Sequence, residues 1–314
     1  MGTYPSLQRR SLAASASTEQ GCKEKVKERM ESMSTKRLLG LFAHPDDEGT
    51  MSGALLQYGA SDVETGLVCA TLGEVGEIAD PSLATPENLG QVREGEMRAA
   101  AEVLGVDHLW FLGYRDSGMA GTAENQDPRA FAQASGAEVV GKLVAVIRQF
   151  RPQVIVTFDE TGGYGHPDHI AIYRYTTSAF YAAADAIQYP ELGPAHSVSK
   201  LYYTAFPRSA IQAIGEWMKS QPQAQDYQSS FAQLDPTKLG LPDEFISVWL
   251  DVGKWQETKD RSWAMHRTQA NSGAFMAQVP EELLRKWRGY ECYQLAASRV
   301  GPDVPGENDL FARV

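Results

Sequence analysis

Two short segments that lie far apart in the chain carry the residue types of a hydrolytic metal site. They are AHPDDE at 43–48 and GGYGHPDH at 162–169, and in each a histidine is followed three residues later by a second residue of a metal-binding type. Imidazole nitrogen and carboxylate oxygen are ligands that suit zinc. If the fold brings the segments together, four or five such side chains converge. The two segments therefore indicate a metal-dependent enzyme.

The residue types also predict a role for each polar side chain. A catalytic zinc ion keeps three protein ligands and leaves one position for water. His44, Asp47 and His169 supply two imidazoles and one carboxylate. Asp46 is adjacent to a ligand but points elsewhere, so it is free to take a proton from the zinc-activated water. His166 is then left to stabilise the oxyanion of a tetrahedral intermediate or to protonate the leaving amine.

Both segments are predicted to be strand-to-helix junctions. Each follows an apolar run that is typical of a buried strand, at 38–43 and at 154–158. Pro45 and Pro167 cannot continue a strand, but proline suits the first turn of a helix. Residues three apart in such a turn project from one face, which brings the paired side chains together.

Strand and helix patterns alternate along the first part of the chain. Strands are predicted at 37–43, 63–71, 107–112 and 154–158, and helices at about 47–59, 91–104, 138–150 and after residue 169. This order predicts an α/β fold with a Rossmann-like, mostly parallel sheet and helices on both faces. Ligands bind such sheets beyond the carboxyl ends of the strands, where the strand order reverses. Both HPD segments lie at carboxyl ends.

We expect three parts in the chain. Residues 1–35 are predicted to be a flexible N-terminal extension with a short charged helix at 23–32, and Met33 is an alternative start of translation. Residues 36–195 are predicted to form the Rossmann-like catalytic core. Residues 196–314 are predicted to form a smaller α/β lobe that completes the site.

The C-terminal third and two loops are predicted in less detail. KLYYTAF and FISVWLDV are typical of strands, and a helix is predicted from residue 253 to about 271, before an aromatic-rich tail. The loops at 78–90 and 117–130 are rich in Gly, Pro, Ala and polar residues. Functional loops often have this length, so both are candidate mobile lids.

Composition excludes several classes of protein. The net charge of −11 argues against nucleic acid as a binding partner, because nucleic acid needs a basic surface on the protein. It also argues against binding to an anionic membrane. No stretch approaches the ~20 apolar residues of a membrane span, and no apolar segment typical of a secretory signal follows QRRSLAASAS. The three cysteines are widely separated, so neither a disulfide framework nor a zinc knuckle is indicated. We expect a cytoplasmic enzyme.

The sequence resembles the LmbE-like, or PIG-L, family of zinc-dependent N-deacetylases that act on N-acetylglucosaminyl compounds. Beyond the two HPD segments, three stretches carry the resemblance: TLGEVGE at 71–77, LGQVREGE at 89–96 and RDSGMAGT at 115–122. They most resemble the branch that deacetylates N-acetylglucosaminyl-inositol in mycothiol synthesis, and its relatives in thiol metabolism. The resemblance runs from residue 36 to about 179, with weaker echoes at KLYYTAF (200–206) and MHRTQ (265–269).

The resemblance implies roles for further residues. It implies the same roles as the residue types do: the base is Asp46, the electrophilic histidine is His166, and the metal ligands are His44, Asp47 and His169. It also implies that Tyr164 lies over the oxyanion. Three residues are implied to reach the sugar or inositol hydroxyls: Glu77, Arg93 and Asp116.

Several of these residues also have plainer interpretations. Asp168 could hold the neighbouring histidine in the required tautomer, or it could cap the following helix. Glu48 could interact favourably with a helix dipole without any catalytic part. His266 is more readily explained by helical packing than by a distal substrate contact. Arg93 could be a solvent-facing helix residue, and Asp116 could be a turn residue.

Three hypotheses of function remain. The first is a zinc amidohydrolase that removes acetyl from an N-acetylglucosamine-containing small molecule; a 2-His-1-carboxylate site also accepts Fe(II). The second is a thiol-conjugate amidase, which the motifs do not separate from the first because the same type of bond is broken. The third is a non-catalytic or dinucleotide-binding protein on the same type of sheet. The sequence after the first strand argues against it, because that sequence is AHPDDEG and not the dinucleotide-binding motif GxGxxG. A homo-oligomer is compatible with the sequence.

Overall fold

The computed structural model describes residues 35–220, 240–269, 279–304 and 306–314. The charged helix expected at 23–32 lies outside the described residues. The chain divides into two units, Met1–Lys36 and Arg37–Val314, and the elements below all belong to the second.

The described residues contain seven strands in one sheet, with the order β3-β2-β1-β4-β5-β7-β6. β1 to β5 are mutually parallel, whereas β7 runs antiparallel to both of its neighbours, β5 and β6. The strands are β1 Arg37–Phe42, β2 Glu64–Cys69, β3 His108–Phe111, β4 Val154–Thr157, β5 Lys200–Ala205, β6 Val248–Asp251 and β7 Tyr290–Ser298. The predicted α/β fold with a mostly parallel, Rossmann-like sheet is therefore confirmed.

Helices connect the parallel strands. The helices of eight or more described residues are α1 Ser52–Gly59, α2 Leu89–Leu104, α3 Gly136–Phe150, α4 Pro167–Ala182, α5 Arg208–Lys219, α6 Gln256–Trp263 and α7 Glu281–Arg288. From β1 the chain runs through α1 to β2 and through α2 to β3, at one edge of the sheet. Helix α3 then returns the chain to β4, on the other side of β1. Because such crossovers are right-handed, this reversal puts α1 and α2 on one face and α3 and α4 on the other. Within the described ranges, no helix is long and apolar enough to cross a membrane.

The reversal of strand order places the two HPD segments side by side. β1 pairs directly with β4, through Leu38 with Val154 and Gly40 with Val156. AHPDDE leaves the carboxyl end of β1, and GGYGHPDH follows β4. The crevice between these strands is the place where parallel α/β sheets bind ligands.

The two junctions differ in detail. Pro167 occupies the first position of α4, as the sequence predicts. After Pro45, however, the chain forms only a short 3₁₀ helix, Asp47–Thr50, before α1 begins at Ser52. The predicted continuous helix over 47–59 is therefore wrong, because Met51 leaves the helical region with φ −135°.

Other departures lie in the C-terminal part. The sequence analysis did not predict α5, α7 or β7. Residues 291–293 of β7 are buried one after another, so both faces of the strand are covered there and it lacks the alternation of a one-sided strand. The helix expected to reach about residue 271 ends at Trp263.

β7 also stabilises the start of α1 directly. The Glu291 carboxylate accepts hydrogen bonds from the backbone N–H groups of Gly53 (2.7 Å) and Ala54 (2.8 Å). It also accepts from Lys259 Nζ at 2.7 Å and from the Tyr293 hydroxyl at 3.0 Å. The helix that follows AHPDDE is thus capped by a buried acid from a distant strand.

We expect Glu291→Ala to lower the free energy of unfolding by about 2 kcal/mol, because it leaves buried N–H groups and the Lys259 charge without an acceptor. Urea denaturation followed by circular dichroism measures the loss. Glu282→Ala, at an exposed position of α7, is the matched control and should change stability by no more than ~0.5 kcal/mol. Equal losses in the two variants would contradict the capping role.

Candidate active site

Three buried side chains converge where β1 and β4 end. His44 Nδ1 lies 3.1 Å from His169 Nε2. Asp47 contacts both rings, with Oδ1 3.3 Å from His169 Nε2 and Oδ2 3.6 Å from His44 Nδ1. The Asp47 carboxylate also accepts the backbone N–H groups of Ala43 (3.0 Å) and His44 (2.7 Å). These backbone bonds fold the loop so that its carboxylate faces the rings.

The outer partners of the two rings determine where the imidazole protons lie. His169 Nδ1 is 3.0 Å from the carbonyl oxygen of Gly162, so a neutral ring donates there and keeps the lone pair on Nε2. His44 Nε2 is 3.2 Å from Asp168 Oδ2 and 3.5 Å from Asp116 Oδ1, so it donates outward and keeps the lone pair on Nδ1. Two lone pairs and a carboxylate therefore face one another.

Such an arrangement fits a cation. Acceptor atoms without a hydrogen between them repel, whereas ligands of one tetrahedral zinc ion lie roughly 3.3 Å apart. The observed separations of 3.1, 3.3 and 3.6 Å lie around that value. Burial by itself lowers the pKa of His44, but the hydrogen bonds to Asp116 and Asp168, together with the charges of Asp47 and Asp116, outweigh it and raise that pKa well above its usual value. The site thus attracts positive charge, as a metal ion or as a proton.

Two other sets of three residues are also close enough to hold an ion: His44, His166 and His169, and His44, Asp116 and Asp168. In the first set, His166 Nδ1 accepts from the backbone N–H of Asp168 at 3.2 Å, so the proton of the neutral ring lies on Nε2. A protonated nitrogen donates and does not coordinate. In the second set, both carboxylates face His44 Nε2, the outer side of that ring. In the set that includes Asp47, by contrast, two ring lone pairs and a carboxylate face one another.

His166 is a neutral donor in this environment. Burial, followed by the nearby His44 and His169 rings, lowers the pKa of His166 to about 4. Its ring lies 4.6 Å from that of His44 and 5.1 Å from that of His169, centroid to centroid. His166 is buried and lines the same cavity as the two other histidines. An Nε2–H group is thus available beside the three converging side chains.

Asp168 contacts a different histidine from the one expected. Its carboxylate accepts from the Ser117 backbone N–H at 2.9 Å, from the Ser117 hydroxyl and from His44 Nε2. Its contact with His166 runs instead through its own backbone N–H. The fully buried carboxylate therefore orients His44 by accepting the outer N–H of its ring, a contact that metal-binding histidines commonly make with a carboxylate.

Asp46 combines an unusual backbone with an acidic environment. Its φ is 108° with ψ −23°, a conformation that L-residues rarely adopt. Its backbone N–H donates to Glu48 Oε2 at 3.0 Å, and its carboxylate accepts from the Gln269 side chain. Burial, followed by the charges of Asp47 and Glu48, raises the pKa of Asp46 to about 8. A nearby cation would act in the opposite direction.

The residues implied for substrate hydroxyls take different positions. Arg93 is buried on α2 and donates to the carbonyl oxygens of Gly73 (2.9 Å) and Glu77 (3.0 Å). A Cβ at Gly76 would collide with the Arg93 guanidinium where it now lies, so glycine there leaves room for that side chain beside the TLGEVGE loop. Arg93 and Asp116 line the cavity. The Glu77 side chain is exposed and does not line this cavity.

Tyr164 stands at the rim of the cavity. Its side chain is 49% exposed, and its ring centroid lies 5.1 Å from that of His169 and 6.2 Å from that of His166. Burial, followed by the charges of Asp47 and Asp46, raises the pKa of the Tyr164 hydroxyl above its usual value. The hydroxyl therefore keeps its proton at neutral pH and remains a donor.

The C-terminal third supplies cavity residues that the sequence analysis did not identify. Phe206, Trp263 and Gln269 line the cavity, which has a volume of about 320 Å³. Gln269 belongs to the MHRTQ segment, and the weak resemblance there was the only signal. In the same segment, buried His266 contacts Glu48 Oε1 through Nε2 at 2.6 Å. The packing interpretation of His266 and the dipole interpretation of Glu48 both missed this contact.

Comparison with known proteins shows extended similarity. The family described as PIG-L, GlcNAc-PI de-N-acetylase, matches residues 39–180. The 1D-myo-inositol 2-acetamido-2-deoxy-alpha-D-glucopyranoside deacetylase of Geodermatophilus obscurus is 41% identical over 299 residues, which cover 88% of this chain and 98% of the relative. The protein of the same name from Streptomyces griseus is 39% identical and covers 90% of each chain.

Solved structures share the fold at low identity. N,N'-diacetylchitobiose deacetylase from Pyrococcus horikoshii has a TM-score of 0.55 at 19% identity, over 88% of this chain and 92% of that one. GalB, a 4-carboxy-2-hydroxymuconate hydratase from Pseudomonas putida, has a TM-score of 0.56 at 18% identity, over 86% of this chain and 100% of that one. One fold thus carries different chemistries, and the sequence relatives decide the family. They confirm the resemblance and exclude the non-catalytic hypothesis: the chain belongs to the PIG-L family of N-deacetylases.

Proposed function

We propose that this enzyme is a metal-dependent hydrolase that removes the N-acetyl group from an N-acetylglucosaminyl-inositol type of small molecule. The observation that carries the proposal is the convergence of two imidazole lone pairs and a carboxylate beside Asp46 and His166. The substrate class is suggested by the deacetylase of Geodermatophilus obscurus, which is 41% identical along nearly its whole length.

In the proposed site, His44, Asp47 and His169 hold the metal ion, zinc or Fe(II). A bound metal ion would polarise the amide carbonyl and lower the pKa of a water molecule at the site. Asp168 and Asp116 receive the outer N–H of His44, and Gly162 receives that of His169. These contacts keep the inner nitrogens unprotonated, which metal binding requires.

The proton transfers are assigned to Asp46 and His166. The Asp46 carboxylate takes a proton from the attacking water, and the Nε2–H group of His166 donates to the developing oxyanion. Tyr164 is proposed as a second donor to that oxyanion. Since the pKa of His166 is held low, its neutral ring is a poor acid. Asp46, once protonated, is better suited to return the proton to the leaving amine.

Substrate hydroxyls are proposed to bind on the Arg93 side of the cavity. Asp116 lines the cavity there, with Oδ1 accepting the Gly118 backbone N–H at 2.9 Å. Glu77 is proposed to contact the part of the substrate that extends beyond the cavity, because its side chain is exposed. The loops at 78–90 and 117–130 stay proposed lids.

We further propose that residues 196–314 act as a lobe that completes the site, since Phe206, Trp263 and Gln269 line the cavity from that part of the chain. A cytoplasmic location and a small-molecule amino-sugar partner are proposed as well, with neither nucleic acid nor a membrane as partner. The net charge of −11 supports the last point.

A thiol-conjugate amidase is the second candidate, and one observation favours it. A larger cavity of about 660 Å³ adjoins the first and shares four of its lining residues: Asp46, Thr50, Phe206 and Trp263. It offers space for an acyl group larger than acetyl. Both activities break the same type of bond with the same side chains.

The substrate is tested by acetate release from N-acetylglucosaminyl-inositol, N-acetylglucosaminyl-malate, diacetylchitobiose and N-acetylglucosamine, with a thiol S-conjugate in parallel. We expect the fastest release from the inositol compound, and its loss on chelation with recovery on added zinc. Preferred cleavage of the S-conjugate would establish the second candidate. Undiminished activity in the metal-free protein would refute the metal-dependent mechanism.

The ligand assignment predicts opposite results for two neighbouring histidines. His169→Ala should lose most of the bound metal, because one of three protein ligands is removed. His166→Ala should keep the metal but slow turnover by on the order of 10²–10³, the typical effect of removing one oxyanion donor. Elemental analysis of each purified variant, together with its kcat, measures both effects. Metal loss from His166→Ala instead would place His166 among the ligands.

The backbone of Asp46 predicts a conflict between stability and activity. Asp46→Gly and Asp46→Ala should both reduce turnover to a small residual rate, since both lose the base. The glycine variant should be the more stable by about 1 kcal/mol, because glycine adopts φ 108° without strain. Thermal unfolding measures the difference. At Glu94, inside α2, the order should reverse, with glycine less stable than alanine; the same order at both positions would argue against strain at Asp46.

A further inference from the structure

The side chain of Gln269 is fixed against the proposed base by its own chemistry. Its Nε2 donates to the carbonyl oxygen of Pro45 at 3.0 Å and to Asp46 Oδ2. Both partners are acceptors, so only the nitrogen end of the amide can face them. Gln269 also lines the catalytic cavity, although it lies more than two hundred residues from Asp46 in the chain.

We propose that Gln269 is a positioning residue that holds the Asp46 carboxylate in its proton-accepting orientation. The inference rests on the proposed function, in which Asp46 is the base. A carboxylate on a short side chain rotates freely unless a donor holds one of its oxygens. With Oδ2 held by Gln269, Oδ1 is left to receive the proton from the attacking water.

The MHRTQ segment (265–269), which contains Gln269, also supports the strained backbone of Asp46. The backbone N–H of Asp46 donates to Glu48 Oε2, and the other oxygen of Glu48 contacts the fully buried His266. Gln269 meanwhile binds the carbonyl group that precedes Asp46. MHRTQ therefore restrains Asp46 at two places, through the backbone and through the carboxylate. A conformation at φ 108° persists only where its surroundings determine it in this way.

Gln269 is itself held by the helix that carries Arg93. The preceding residue, Thr268, donates its backbone N–H to Glu96 Oε1 at 2.9 Å and its hydroxyl to Glu96 Oε2 at 2.7 Å. Its carbonyl oxygen accepts from the backbone N–H of Ala79 at 2.8 Å. Glu96 lies three residues after Arg93 on α2, on the same helix face. Helix α2 thus anchors both the segment that contacts Asp46 and the proposed sugar side of the cavity.

A second observation distinguishes this side chain from ordinary packing. Gln269 Oε1 is buried and has no hydrogen-bond partner among the described residues. Unpaired buried acceptors are rare in proteins because they lose their bonds to water without replacement. The unpaired oxygen of the amide is therefore destabilising, while the nitrogen of the same amide donates to Asp46. An apolar residue of the same size would fill the position without that cost.

The first test replaces Gln269 with a residue of similar size that cannot donate. Gln269→Leu should lower kcat roughly 10- to 100-fold, in line with the effect of a misplaced catalytic group, while KM and metal content stay within about twofold. Gln256→Leu is the same substitution on α6, where the side chain donates to Asp260 of that helix; it is the matched control and should leave kcat unchanged. A change in KM or in metal content with kcat preserved would overturn the proposal.

The second test is a double-mutant cycle with Asp46. In the Asp46→Ala background, Gln269→Leu should slow the residual activity by less than about twofold, because the group that it positions is absent. An undiminished effect there would mean that Gln269 serves the fold and not the base. The cycle is repeated on the thermal midpoint, where Gln269→Leu should cost fewer degrees in Asp46→Ala than in the native chain.

The two readouts separate this proposal from the proposed function. If the native enzyme releases no acetate from any substrate, the function fails, yet the thermal cycle still reports whether Gln269 and Asp46 are coupled. If acetate is released and both cycles are additive, the function stands and the positioning role of Gln269 is refuted.

Discussion

The neutral tautomers of His44 and His169 direct three acceptor atoms at one another, and this is the constraint on which the site depends. His44 Nδ1, His169 Nε2 and the Asp47 carboxylate lie 3.1 to 3.6 Å apart in a buried crevice. A shared metal ion or a proton relieves their mutual repulsion. The surrounding acceptors, which are the Asp168 and Asp116 carboxylates and the Gly162 carbonyl, direct the outer ring protons away from that point.

The same crevice separates the roles of neighbouring residues by their environment. Asp46 and Asp47 are adjacent in sequence, yet the pKa of Asp46 is raised to about 8, with burial as the main cause. Burial acts on Asp47 too, but the charges and hydrogen bonds of His169 and His44 outweigh it and lower the pKa of Asp47 to about 2. One acid is thus suited to exchange protons and the other to stay ionised beside a cation. The positive φ of Asp46 turns the two side chains apart.

The distant C-terminal segment reaches this crevice because the sheet continues beyond β4. β5, β7 and β6 extend it, and β7 provides Glu291 to cap α1 directly after the catalytic loop. α2 then anchors Thr268 through Glu96, which brings Gln269 to Asp46. The helix with Arg93 and the segment with Gln269 therefore hold the loop from two directions. Through these contacts, the AHPDDE segment near the N-terminus meets residues from the C-terminal part of the chain.

The parallel α/β sheet, the strands before both HPD segments, the family and the meeting of the two HPD segments could all be predicted from the amino-acid sequence alone. Those features are local, because apolar periodicity, proline at a strand end and ligand chemistry operate over a few residues. Four features became visible only in the folded chain: Asp168 binds His44, Glu77 faces outward, α1 starts after a break at Met51, and Gln269 and His266 contact the AHPDDE segment. Each of these depends on a contact between distant parts of the chain or on a backbone dihedral, and neither leaves a periodic signal in the sequence.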